Sequence, residues 1–154
     1  ITATGSWWTG APEIAYRRLG VIDTSALSVE LIGELEAPTP ANMELTGTGD
    51  GRLFGMVVDV RDLRNVITTI EELDSSSGAT VASATVPVEA RSGFAFAQWG
   101  GDFWLFTANE ADEARVIQFR FEGARVVTMT DTDLGVPGTI IGAGASTCAP
   151  YDLI

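Results

Sequence analysis

A chain of 154 residues, 45% of them hydrophobic, is long enough for one domain with a real core, and its net charge of -12 argues against nucleic acid or anionic lipid as a partner. All nine basic residues are arginine, so without histidine or lysine the chain holds no Ser-His-Asp triad, no histidine base or metal ligand, no P-loop and no Schiff-base lysine of its own. The lone Cys148 excludes an internal disulfide and a cysteine zinc cluster, and no apolar stretch approaches the length of a transmembrane helix.

Read in chain order, the sequence predicts strands almost throughout. The first, TATGSWWTG, places a lone strand at about residues 5–9, with Trp7 and Trp8 inside it. VIDTSALSVELIG, from Val21, predicts a hairpin turning near Ser25. LTGTGDGRLFGMVVD, from Leu45 to Asp59, sets glycines and Asp50 between two strands. DVRDLRNV, from Asp59, is the best helical candidate, placed where one blade would connect to the next. VITTIEEL (Val66 to Leu73) and ATVASATV (Ala79 to Val86) flank Asp74-Ser-Ser-Ser-Gly78, whose side chains bond their own backbone and whose glycine accepts positive φ. FAFAQW, Gly100-Gly101-Asp102 and FWLFTA form the next hairpin, and the acidic ANEADEA, from Ala108, is a solvated connection between blades. IQFRFEGARVVTM, from Ile117, turns at Glu122-Gly123, Asp131-Thr-Asp133 is read as a turn with a minor calcium alternative, and TIIGAGAS closes the series.

These elements repeat. GDGRLFGMV aligns with WGGDFWLFT at an offset of about 50 residues, the preceding hairpins align at about 51, and Ile141-Gly-Ala-Gly144 echoes Thr46-Gly-Thr-Gly49. A unit of about 50 residues with four short strands is the size of a propeller blade. The expected fold is therefore all-β and β-propeller-like, with about three four-stranded antiparallel blades. The repeats span about residues 16–59, 66–108 and 114–146, in a single domain over residues 1–154. Three blades do not close a ring, which implies a partial propeller, completed by a homodimer or by an N-terminal half of a longer parent chain.

Three candidate sites follow. Asp50 lacks the alternating acidic partners and closing glutamate of a calcium loop and the lysine of a P-loop, so it reads mainly as part of a hairpin turn; calcium is the alternative and no other cofactor is expected. Trp99, at the Trp-Gly-Gly turn, is the exception among aromatics otherwise assigned to the core, and offers a face for stacking on a sugar ring. Asp102, with Asp50 at the equivalent blade end, is the nearest thing to a glycosidase carboxylate pair, though nothing in the sequence fixes their separation and 21 acidic residues make such coincidences expected. Phe54, Phe96, Trp104, Phe106 and Phe119 are expected in the core. Cys148 reads as a buried free thiol, a bridge to a cysteine elsewhere in a longer chain or, least favoured, a reactive thiol.

The ordered set LTGTGDGRLFG, ELDSSSGA, FAFAQWGGDFWLFTA and IIGAGASTCAP resembles secreted or lipid-anchored proteins of myxobacteria and related δ-proteobacteria, from Leu45 onward. The resemblance implies a longer parent of which this chain is the C-terminal part. The chain begins at Ile1, which fits a processed product or a piece of a longer protein, and its richness in Gly, Ser and Thr fits an extracellular or cell-envelope setting. The expected role is a non-catalytic recognition or scaffold module with a protein or glycan ligand and no transmembrane segment. A lectin-like propeller is the first alternative, and a hydrolase completed by another chain or a missing half the second.

Overall fold

The structure, a computed structural model, describes residues 2–6, 17–36, 41–62, 64–90 and 93–145. Its regular structure among these residues is eleven strands and no helix. β1 (Thr2–Ser6), β2 (Arg17–Asp23) and β3 (Ser28–Glu34) form a first antiparallel sheet. β4 (Ala41–Gly47), β5 (Leu53–Asp59), β6 (Ile67–Leu73) and β7 (Thr80–Val86) form a second. β8 (Ala95–Trp99), β9 (Asp102–Ala108), β10 (Glu113–Glu122) and β11 (Arg125–Pro137) form a third. In each sheet every strand pairs with its neighbour in sequence. No helix among the described residues is long and apolar enough to cross a membrane.

Local chemistry explains the turns. In the β6–β7 turn the Asp74 carboxylate accepts the N–H groups of Ser76 at 2.8 Å and Ser77 at 2.9 Å, and Gly78 supplies the positive φ of 79°. The β2–β3 turn repeats the device, with Asp23 accepting from Ser25 and Ala26. Gly100-Gly101 (φ 63° and 82°) and Gly123-Ala124 (φ 53° and 62°) are two-residue turns with both residues left-handed, the geometry whose twist matches that of the strands. Ser25, Ser76 and Gly123 thus all lie in turns, as the sequence predicts.

The frame of the repeats differs from expectation. The anticipated blades begin near residues 16 and 66, whereas the hydrogen-bonded four-stranded sheets run from Ala41 to Val86 and from Ala95 to Pro137. Each sheet therefore starts half a repeat later. The segment from Asp59 to Val66 shows no helix among its described residues and joins two strands of the second sheet rather than two blades, with Asp59 accepting both the backbone N–H and the guanidinium of Arg61. Asn109 folds the β9–β10 connection in the same way, its side-chain oxygen accepting from Ala111 and Glu113. A proline marks the boundary between the second and third sheets: Pro87 follows β7 directly and has no N–H to offer the ladder. The first strand is described over Thr2–Ser6, and the rest of the expected strand at 5–9, with Trp7 and Trp8, falls outside the described residues, as does Cys148. Asp131 and Asp133 sit within β11, not in a turn, and Asp131 holds the Arg115 guanidinium at 2.7 Å.

The sheets stack with the second in the middle. β5 is buried at every residue because its two faces serve two interfaces. Leu53 and Leu73 meet Leu19 and Leu35 of the first sheet's side, with Ile32, Met43 and Leu45 around them. The opposite face, with Phe54, Met56, Val58 and Ile70, meets Phe96, Phe103, Leu105, Ile117 and Phe119 of the third sheet. Phe103 is the hub, with ring centroids at 4.8 Å from Phe54, 5.5 Å from Phe96 and 5.7 Å from Phe119. Phe54, Phe96 and Phe119 are buried as expected, but Trp104 and Phe106 are only half-buried. Strand alternation is the reason: Phe103 and Leu105 point at the second sheet, so Trp104 and Phe106 point away from it.

Side chains also join β4 to β8. The Glu44 carboxylate accepts the Phe96 N–H at 2.9 Å, and the Thr46 hydroxyl accepts the Gln98 N–H at 3.2 Å. Burial raises the Glu44 carboxyl above the ordinary glutamate range, and the Phe96 bond offsets part of that. The folded chain thus holds this proton more tightly than the unfolded one. The contribution of Glu44 to stability is full below the ordinary glutamate range and is lost as pH rises through the raised value. Glu44→Gln keeps an acceptor for Phe96 and removes the part-buried charge. It is expected to raise the thermal midpoint near neutral pH, with a gain that fades toward about pH 4. Melting curves at the two pH values check this, and an equal gain at both would contradict burial of the charge as the cause.

Candidate functional site: the free face of the third sheet

Trp99 ends β8 and pairs with Asp102 across the Gly100-Gly101 turn, which carries the Trp99 ring to the tip of the hairpin, 48% exposed. Ala97 lies opposite Trp104 and Ala95 opposite Phe106, so Trp99, Asp102, Trp104 and Phe106 share the face turned away from the second sheet. The Trp104 indole N–H donates to the Trp99 carbonyl at 3.3 Å, tying the two tryptophans together. Residues 140–145 lie across from this face. Between them is a groove of about 440 Å³, walled by Ala97, Trp99, Trp104 and Phe106 on one side and by Ile140 and residues 142–145 on the other.

Asp102 belongs to this face but is only 2% exposed. Its carboxylate accepts from the Arg120 guanidinium at 2.8 Å and from the Gln118 amide at 2.6 Å, so its charge is paired and its lone pairs are engaged. The sequence singles out Asp102 but not the two β10 residues that hold it, since only the strand register brings Gln118 and Arg120 beside it. Asp50 is not in this site. It lies in the β4–β5 turn of the second sheet, exposed, accepting the Thr48 hydroxyl, while Gly51 at φ 86° completes the turn. No group of three or more acidic, cysteine or histidine residues able to hold a metal occurs among the described residues. The structure therefore brings Trp99 and Asp102 together and leaves Asp50 on another sheet.

Gln98 is a residue that sequence reasoning missed. Paired with Phe103, it points to the opposite, core-facing side; it is 1% exposed, and its side-chain oxygen has no hydrogen-bond partner among the described residues. Its only signal in the sequence is a polar residue in an otherwise apolar strand, FAFAQW.

The free face can offer two indole surfaces and a phenyl ring beside an ion pair in which the carboxylate is buried and the arginine partly exposed. That chemistry suits adhesion of apolar or ring-shaped surfaces more than proton transfer. No protein-family model and no curated protein matches the chain.

Proposed function

We propose that this chain is a non-catalytic recognition or scaffold module of the bacterial cell envelope or extracellular space, built as part of a β-propeller-like ring. Its working surface is the free face of the third sheet. The observation that carries this reading is the position of Trp104 and Phe106. In the aligned repeats they stand where Phe54 and Met56 stand in the second sheet. Phe54 and Met56 are fully covered by a neighbouring sheet, whereas Trp104 and Phe106 are half-buried and border an open groove. An apolar face of this kind is a docking surface. Asp102, the carboxylate on that face, is held by Arg120 and Gln118, which supports a structural rather than an acid–base role for it.

The half-exposed Trp99 favours a second reading, a lectin-like module that stacks a sugar ring on that indole. Glycan-array binding together with a panel of glycoside substrates separates the readings. The expected result is neither retention nor turnover. Glycan retention abolished by Trp99→Ala would replace the scaffold reading with the lectin-like one, and turnover abolished by Asp102→Asn would replace it with a hydrolase.

A further inference from the structure

The first sheet also has a free apolar face. Ile22 pairs with Val29, and Gly20 pairs with Leu31, in a register that puts these residues on one side of the sheet. Val29 is 56% and Leu31 48% exposed. Gly20 leaves room for them, because a Cβ there would meet both side chains. The stack thus ends in an apolar face at each side, one with Val29 and Leu31, the other with Trp104 and Phe106.

The repeats show how these two faces are matched. At the offset of about 50, Leu53 corresponds to Phe103 and Phe54 to Trp104; at about 51, Ile22 corresponds to Leu73. Within the chain a Phe54-type face meets a Phe103-type face between the second and third sheets, and a Leu19 face meets a Leu53–Leu73 face between the first and second. The Trp104 face is of the first kind and the Ile22 face is of the kind it receives. Residues 139–145 point the same way. They carry the Thr46-Gly-Thr-Gly49 pattern as Ile141-Gly-Ala-Gly144, and they lie along the third sheet beside β8, as β4 does on its other side. In the second sheet β4 adds to β5, which pairs with β6 as β1 pairs with β2.

We propose that a second copy of this chain docks its first sheet on the free face of the third, head to tail, with residues 139–145 adding to β1 of that copy. Two such contacts close a two-fold ring of six sheets. This names the partner of the surface in the scaffold reading and rests on that surface being a docking face. Unlike a self-complementary dimer contact, each interface joins two different patches, which gives the arrangement a distinctive test.

Light scattering on the 154-residue chain at micromolar concentration is expected to give twice its 16.3 kDa mass. Phe106→Asp on the third sheet and Leu31→Lys on the first should each give the monomer mass. Because Leu31 is already half exposed, its variant keeps the fold, which circular dichroism verifies. An equimolar mixture of the two variants is expected to regain the doubled mass, since one interface between them is intact. A monomeric wild-type chain would overturn the proposal, and so would a dimer that Leu31→Lys leaves intact or a variant mixture that stays monomeric. A monomer that still bound neither glycan nor substrate would leave the scaffold reading standing with a different partner. A doubled mass accompanied by Trp99-dependent glycan binding would do the reverse.

Discussion

Phe103→Ala is expected to cost about 3–5 kcal/mol of folding stability, the loss typical of a buried phenylalanine whose cavity its neighbours cannot fill. The ring is 4% exposed and touches three other aromatic rings, one from the second sheet and two from its own. Collapse around the gap would have to move β8, β10 and β5 together. The cation–π contact of Arg52 over Phe54, at 4.9 Å, and the Arg52–Glu72 pair at 2.6 Å hold the opposite wall in place. Urea denaturation measures the effect, with Val81→Ala as the comparison. Val81 is 63% exposed on an outer strand and its truncation should stay within about 0.5 kcal/mol of wild type. Comparable losses for the two variants would refute the central place of Phe103.

Gly33→Ala is expected to detach the first sheet. Gly33 faces the β6–β7 turn, and a Cβ there would run into the backbone carbonyl of Ser77. That carbonyl belongs to a turn pinned by Asp74, so the obstacle is a fixed backbone group rather than a mobile side-chain end. One methyl group should cost about 1–3 kcal/mol, at the upper end because neither partner yields. The loss falls on the contact among Leu19, Leu35, Leu53 and Leu73. Limited proteolysis should show cleavage between residues 17 and 36 before any cleavage in the third sheet. A protease pattern and denaturation midpoint equal to wild type would show that the two sheets are not so closely apposed at Gly33.

The strands and their turns were legible in the sequence because the signals are local. Asp74, Asp23 and the Gly100-Gly101 pair create their turns through bonds and φ values within a few residues. Which hairpins share a sheet was not legible, since Asp59 to Ile67 can either link two sheets or bend within one. The outcome depends on the Asp59–Arg61 clamp and on pairing seven β5 residues with β6. The site was half legible. Trp99 stands out beside two glycines, and it is indeed exposed. The placing of Trp104 and Phe106 in the core failed because an apolar residue in a strand reveals that its face is buried by something, not by what. Gln118 and Arg120 were invisible as partners of Asp102, since they lie 16 and 18 residues away and only register unites them.

The middle position of the second sheet sets how the molecule comes apart. In a linear array whose members touch only their neighbours, stability is a sum of intrinsic and nearest-neighbour terms. Losing a terminal member breaks one interface; opening the central one breaks two. In a single copy, whose two end faces are free, thermal fluctuations therefore fray the array from its ends inward. The amides of β5, buried along its whole length, are the last to meet solvent, and the outward faces of the first and third sheets are the first to loosen.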